Sequence, residues 1–312
     1  MKKLFCELVL DYYPRISEIE HLYGTSIANC FFNCFLSYAA IMLNIVTIHA
    51  ITKTSSWPNS LKTLLLSLAI SDVGVGLFVQ PFYFSLLVKW IQHTVPNCNS
   101  YKTLSVIGIL FATASFLGVV AVSVDRFLAI HLHLRYQELV TYKRVVAVVI
   151  SIWVLSTFLT LTILWITPGI PSLILCVIII IAVGLILTTM VYIRIYLAAR
   201  RHKNQIQALQ VQGGAEHGEM AHFAGLIKSA AGVFYVYLVF LVCYLPSVIC
   251  LTAVAISGPS ISLKRFFLFS WTFLFLNSSL NTVIYCWKMR HIRRAVMDIL
   301  QNTPWFRNRG TR

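Results

Sequence analysis

Acidic residues are scarce in this chain, which has 10 Asp and Glu against 25 Lys and Arg among its 312 residues. Charged residues make up only 11% of the sequence and hydrophobic ones 58%, a composition that would be difficult to keep in solution as a soluble protein. From Val145 to Ile193 there is no Asp, Glu, Lys, Arg or His. Because a helix needs roughly 20 apolar residues to cross the hydrocarbon core, this run predicts two membrane crossings. The prolines and the glycine of Thr167–Pro171 predict the turn between them.

The alternation of apolar and polar residues that is typical of a membrane β-barrel is missing. The apolar segments are long and continuous instead, and they predict an all-α membrane protein with a bundle of seven transmembrane helices. We expect an outer tail over residues 1–25, the seven-helix domain over 26–287, and a short amphipathic eighth helix with a cytoplasmic tail over 288–312. The predicted spans are 26–51, 60–88, 101–131, 144–166, 171–197, 225–256 and 264–287.

Basic residues are unevenly divided between the predicted loops. If the N-terminus lies outside, only seven of the 25 Lys and Arg fall on the outer side. Positive residues stay in the cytoplasm, so we expect an outer N-terminus, a cytoplasmic C-terminus and a multi-pass position in the plasma membrane. The net charge of +15 then predicts attraction to anionic membrane lipids and no nucleic-acid partner. The eight cysteines show no metal-binding spacing, so no metal is expected from them.

A carboxylate, Asp72, lies deep in the second predicted span, where it needs partners. Four oxygen-bearing side chains on three other predicted helices can supply them: Asn44, Ser115, Asn277 and Asn281. Two interpretations stay open. The residues form a structural hydrogen-bond network, or they hold a sodium ion at Asp72, since hard cations prefer oxygen ligands.

Several short motifs follow one another along the predicted helices. They are Asn44, "LAISD" with Asp72, Trp90, "DRF" with Arg126, Trp153, Tyr192, "FLVCYLP" and "NTVIY". Together they resemble rhodopsin-like (class A) G-protein-coupled receptors, with some similarity to the melanocortin, adenosine and lipid receptor branch. The resemblance implies a receptor without catalysis or cofactor, apart from sodium as an allosteric modulator. Such a receptor transmits binding of an extracellular small ligand to a heterotrimeric G protein through outward movement of the sixth helix.

The resemblance also assigns roles at the inner end of the third helix. Asp125 is expected to hold Arg126 in the resting state, and Arg126 to contact the G protein after opening. The acidic residue that the family carries at the base of the sixth helix is missing here, so we expect Asp125 to restrain Arg126 almost alone and basal signalling to be appreciable. The coupling and switch residues implied are Asp125, Arg126, Leu134, Tyr192, Phe240, Pro246, Asn281 and Tyr285.

The ligand pocket implied by the resemblance has an apolar, aromatic lining. Gly108 stands where amine receptors carry an aspartate, so an ammonium ligand would have no counter-ion. An uncharged or lipid-like small ligand is therefore expected. The residues expected to line the pocket are Phe82, Gly108, Ala112, Cys176, Tyr244, Ser247, Trp271 and Phe275.

The outer disulfide that is usual in this family is not expected. Tyr101 occupies the position of the third-helix cysteine, and Cys98 lies one turn further out. A bond between Cys98 and Cys6 is the alternative.

Two rival functions compete with the receptor. A seven-helix transporter or channel needs an ionisable path or an internal repeat, yet the ionisable residues stop at Asp72. A retinal pigment needs a lysine in the seventh helix, and residues 266–287 contain none.

Overall fold

The computed structural model describes residues 11–53, 58–132, 135–165, 182–194, 196–197, 200, 217–288, 293 and 296–297. These residues contain no β-strand, and seven of their helices match the seven predicted spans, which confirms the predicted seven-helix bundle. The helices are α1 (Ile19–Lys53), α2 (Asn59–Ile91), α3 (Cys98–His131), α4 (Tyr142–Trp165), α5 (Ala182–Arg194), α6 (His217–Ser257) and α7 (Ile261–Lys288).

Within the described ranges, six of the helices are long and apolar enough to cross a membrane, and the described part of α5 is a shorter apolar segment. The predicted beginning of the fifth span and the turn at Thr167–Pro171 lie outside the described residues. The predicted eighth helix lies mostly outside them too, so both stay predictions. Large apolar side chains such as Phe31, Phe35 and Phe158 point away from the bundle, as expected of surfaces that face lipid.

Helix α2 is interrupted three residues after Asp72, at Val75. A π-helical turn at Val75–Val79 separates the α-helical segments Asn59–Gly74 and Gln80–Ile91. Phe111 of α3 packs so closely on this bend that a Cβ atom at Gly74 would overlap its ring. The glycine therefore lets α3 approach the bend, and the bend sets the direction of the outer half of α2.

The buried apolar residues form two clusters, one toward each end of the bundle. We call the end that carries Trp90 the outer end and the end that carries Arg126 the inner end, following the predicted orientation. The outer cluster includes Trp90 and Phe267, and the inner cluster includes Phe240 and Tyr285.

Candidate functional sites along the bundle

The predicted pair Asp125 and Arg126 lies buried at the inner end of α3, with 5% and 3% of their surfaces exposed. Nε of Arg126 donates to Oδ2 of Asp125 at 3.0 Å, and Nη2 donates to the same oxygen. Desolvating two charges is costly, so a buried ion pair depends on further hydrogen bonds to its free atoms.

Tyr136 supplies such a bond to Asp125. It begins the short helix Tyr136–Leu139, and its hydroxyl donates to Oδ1 of Asp125 at 2.7 Å while lying 2.8 Å from the hydroxyl of Ser60 on α2. Burial, followed by the nearby charge of Asp125, raises the pKa of Tyr136 to about 12, so the phenol stays a donor at neutral pH. Tyr136 thus holds the carboxylate that holds Arg126, a contact that the sequence did not indicate. Leu134 lies outside the described residues.

The two tyrosines assigned to the switch are both buried in the inner part of the bundle. The hydroxyl of Tyr192 on α5 lies 2.9 Å from that of Ser123 on α3, and its ring stacks on Tyr237 of α6 with centroids 5.3 Å apart. Tyr285 of α7 is 1% exposed, and its hydroxyl has no hydrogen-bond partner within the described part of the chain. A buried hydroxyl without a partner is costly.

An aromatic stack fills the middle of the bundle. Phe240 stacks on Tyr244 with ring centroids 3.8 Å apart and contacts Phe116 of α3 at 5.4 Å. Phe116 also presses on α5, where a Cβ atom at Gly184 would overlap its ring. Pro246 lies inside α6, two residues after Tyr244, where it removes a backbone hydrogen bond.

Asp72 is fully buried between α2 and α7. Its Oδ2 accepts from Nδ2 of Asn281 at 2.9 Å. Ser115 of α3 bonds Ser71, the neighbour of Asp72, at 3.0 Å between the hydroxyl oxygens. Three buried acceptor atoms in this region have no hydrogen-bond partner among the described residues: Asp72 Oδ1, Asn277 Oδ1 and Asn281 Oδ1. Oxygen atoms of this kind are the ligands that hard cations prefer.

Asn44 joins α1 to α7. Its Nδ2 donates to the backbone oxygens of Ala40 and Ser278, each at 2.8 Å. Its Oδ1 accepts from the hydroxyl of Thr282 at 3.1 Å, and Thr47 donates to Thr282 at 3.0 Å. Thr282 therefore joins a polar contact between the two helices.

Trp271 occupies the space in front of Gly108. A Cβ atom at Gly108 would lie 3.0 Å from the Trp271 ring, which stacks on Tyr83 at 5.6 Å and contacts Phe275 at 5.7 Å. Tyr244 reaches Ala112, whose backbone oxygen accepts its hydroxyl at 3.4 Å. Of the other residues predicted to line the pocket, Phe82 is partly buried, Ser247 has a buried hydroxyl without a partner among the described residues, and Cys176 lies outside them.

A second aromatic cluster closes the outer end, and the sequence did not indicate it. Tyr13, from the segment before α1, is 4% exposed and packs on Trp90, Tyr101 and Phe267, with centroids 5.8, 4.9 and 5.3 Å away. Nε1 of Trp90 donates to the hydroxyl of Tyr101 at 3.2 Å. Tyr101, at the position of the usual cysteine, thus joins α2 to α3 without a covalent bond. Cys98 takes part in a disulfide bond, and its predicted partner Cys6 lies outside the described ranges.

An ion pair holds the same segment to α7. Nζ of Lys264 lies 2.6 Å from Oε2 of Glu18, and the lysine side chain is only 1% exposed. Glu18 ends a 3₁₀ turn over Ile16–Glu18 and also accepts from the backbone N–H of Arg15 at 2.9 Å.

Helix α1 carries a buried polar stripe in its outer half, which sequence reasoning also missed. Nδ2 of Asn33 donates to the backbone oxygen of Gln80 at 2.9 Å, and Nε2 of Gln80 donates to Oδ1 of Asn33 at 3.3 Å. Thr272 of α7 donates to Oδ1 of Asn29 at 2.5 Å. Asn29 and Asn33 stand four residues apart and therefore share one face of the helix, which is the signal that could have revealed the stripe.

Comparison with known proteins agrees with this geometry. The family model of the 7 transmembrane receptor (rhodopsin family) matches residues 43–169. The human adenosine receptor A2a is 24% identical over 302 residues, covering 86% of this chain and 70% of that receptor. The human melanocortin receptor 5 is 25% identical over 281 residues, covering 85% and 82%. The chicken adenosine receptor A2b is 30% identical over 127 residues, covering 41% and 36%.

Fold, motifs and matches together support a class A, rhodopsin-like G-protein-coupled receptor, and they confirm the resemblance that the sequence predicted. The relatives are receptors named for adenosine and melanocortin, which is the branch that the sequence indicated. The chain is accordingly similar to a family of signalling receptors, and its long apolar helices indicate a multi-pass membrane protein.

Proposed function

We propose that the protein transmits binding of an extracellular, uncharged or lipid-like small ligand to a heterotrimeric G protein through outward movement of α6. The observation that carries this proposal is the buried pair of Asp125 and Arg126, whose carboxylate is also bonded by Tyr136 at 2.7 Å. Burying a charged arginine at the inner end of a membrane helix is costly, and such residues usually have a function. Here that function would be to bind a partner protein that replaces Asp125.

Opening of the inner end would follow from the arrangement around α6. Phe240 and Tyr244 stack inside the bundle below the proline of α6, so a rotation of that helix would separate Phe240 from Phe116. Tyr285, whose hydroxyl has no partner within the described residues, would gain one as the inner end opens. Arg126 would then exchange Asp125 for the G protein.

The chemistry of the proposed ligand follows from the lining of the pocket. Gly108 offers no carboxylate, and Trp271 fills the space in which a longer side chain would stand. An ammonium group placed there would be desolvated without a counter-ion. An uncharged ligand with an apolar body matches the rings of Tyr83, Trp271 and Phe275.

We also propose that a sodium ion binds at Asp72 as an allosteric modulator. The unpaired acceptors on Asp72, Asn277 and Asn281 would hold it, and the ion would act as the counter-ion of the buried carboxylate. If so, sodium chloride stabilises the purified protein against heat more than choline chloride does, and Asp72→Asn removes the difference. The same stabilisation by both salts would leave Asp72 as part of a hydrogen-bond network only.

Ligand-independent coupling to a panel of G proteins tests the central proposal. Wild-type protein is expected to raise second-messenger levels above those of mock-transfected cells, and Arg126→Ala at equal surface expression is expected to abolish the rise. Equal signals from wild type and Arg126→Ala would contradict the proposed switch.

A transporter or channel is not favoured. The same assay separates it from a receptor, since the activity of a transporter or channel would not depend on a G protein. Surface labelling of N- and C-terminal tags would test the proposed outer N-terminus and cytoplasmic C-terminus.

A further inference from the structure

The cluster at the outer end has the form of a filled binding site. Its walls come from three helices: Trp90 of α2, Tyr101 of α3 and Phe267 of α7. Its occupant, Tyr13, comes from the segment before α1 and makes ring contacts with all three. We infer that this is a binding site for an uncharged aromatic ring, that the chain fills it with its own Tyr13, and that the filled site favours the resting state.

The segment that carries Tyr13 is held in place on both sides. Before it, Tyr12 also contacts Phe267, with centroids 5.4 Å apart. After it, Pro14 restricts the backbone, and the 3₁₀ turn leads to Glu18, which pairs with buried Lys264. The side chain of Tyr13 is thus presented to the site by a fixed loop rather than resting on the surface.

The walls define which chemical group fits. Aromatic rings contact one another at tilted, stacked and edge-on angles here, which is the arrangement that aromatic groups prefer. Lys264, the cation that the same segment contacts, is already paired with Glu18, and Nε1 of Trp90 is bonded to Tyr101. A charged group would therefore lose water without gaining a partner from these residues, whereas an uncharged aromatic ring has no charge to desolvate.

The link to the resting state rests on the proposed signalling function. Tyr13 is seated in the same structure in which Arg126 is paired with Asp125 and Asp125 is bonded by Tyr136. A group that binds one conformation shifts the population toward that conformation. The ring of Phe267 also contacts that of Trp271, with centroids 6.4 Å apart. The site that Tyr13 fills is therefore in direct contact with the proposed ligand pocket.

Because Tyr13 is covalently attached, a soluble competitor faces an effective concentration on the order of millimolar. The native site should consequently ignore a short peptide that copies the segment. A variant that lacks the ring should accept it.

The proposed binding site is tested with purified full-length protein and the peptide acetyl-Tyr-Tyr-Pro-amide, which copies residues 12–14. We expect Tyr13→Ala to lower the midpoint of thermal unfolding, and millimolar peptide to restore part of the loss. The wild type should not respond, and acetyl-Tyr-Ala-Pro-amide should stabilise neither protein. Tyr13→Phe keeps the ring and should resemble the wild type, as should Ile16→Ala, whose side chain is 76% exposed. No effect of the peptide on Tyr13→Ala, or equal effects on both proteins, would overturn the site.

The proposed resting-state role is tested by measuring basal G-protein activation, without ligand, in cells that express equal amounts of each variant at the surface. Tyr13→Ala should raise basal G-protein activation several-fold over the wild type, and the peptide should reduce it again. Unchanged or lower basal activation would overturn the resting-state role. If Arg126→Ala signals like the wild type, the proposed function fails. The peptide experiment still shows whether the binding site exists, because it does not depend on signalling.

Discussion

The outer and inner ends of the bundle are closed by different kinds of contact. The outer end is closed by stacked rings and an ion pair, with Tyr13 and Glu18 reaching back over α2, α3 and α7. The inner end is closed by hydrogen bonds to a single carboxylate, that of Asp125. Burial of aromatic rings contributes strongly to stability, whereas charged hydrogen bonds are directional and can be exchanged for those of a partner. The difference predicts that outer substitutions lower stability, with a change in signalling only where the ring of Tyr13 is lost, whereas inner substitutions change signalling at a smaller cost in stability.

The largest effect on stability is expected from Glu18→Gln. It leaves Lys264 buried without its carboxylate, which should lower the free energy of unfolding by about 2–3 kcal/mol. The loss should be smaller than for a fully buried pair because Glu18 is itself partly exposed. Thermal unfolding of the purified protein in bilayer discs measures the loss. Glu20→Gln is the matched control, since Glu20 is exposed and lies close to Glu18 in the chain. Equal losses from both variants would show that the ion pair does not hold the outer end.

Gly184→Ala tests the middle of the bundle, between the two ends. The added methyl group would overlap the ring of Phe116, so the ring, which also contacts Phe240, must shift. Overpacking of this kind should cost about 2 kcal/mol in the free energy of unfolding. Gly24→Ala serves as the control, because nothing lies within 4 Å of its added Cβ atom. A Gly184→Ala protein as stable as the control would mean that α5 and α3 are not in close contact.

Tyr136→Phe is the sharpest test of the inner end. The variant keeps the ring but removes the donor to Asp125, and a hydrogen bond to a charged group contributes about 1.5 kcal/mol or more. We expect basal signalling to rise several-fold, with a fall in unfolding temperature smaller than that caused by Gly184→Ala. Tyr142→Phe, at an exposed tyrosine, should leave both quantities unchanged. A large loss of stability without a change in signalling would erase the contrast between the two ends.

The smallest effect is expected from Thr282→Val. It removes both the donor to Oδ1 of Asn44 and the acceptor of the Thr47 hydroxyl, but the bond from Asn44 to the backbone oxygen of Ser278 remains, so the cost should be about 1 kcal/mol. Thr157→Val on the exposed face of α4 controls for the change of residue type. Unfolding of both proteins under the same conditions measures the difference, and a larger cost for the control would contradict the role of Thr282.

Sequence reasoning located the helices because an uncharged run of sufficient length has few alternatives to crossing a membrane. It also placed Asp72 next to Asn281, since their helices and depths followed from the motifs. Tyr136 and Tyr13 were missed because each lies outside the long helices and folds back onto the bundle, and no periodic pattern marks such a residue. The pairing of Asn33 with Gln80 depends on the bend in α2, which apolar patterning does not reveal.

In the proposed mechanism Arg126 couples this bundle to a G protein, and Asp125 restrains it. Nucleotide exchange on purified heterotrimeric G proteins, with the receptor in bilayer discs and no ligand, tests both roles most directly. We expect exchange above that of empty discs for the wild type, faster exchange for Asp125→Asn, and none above empty discs for Arg126→Ala. Exchange by Arg126→Ala at the wild-type rate would contradict the mechanism.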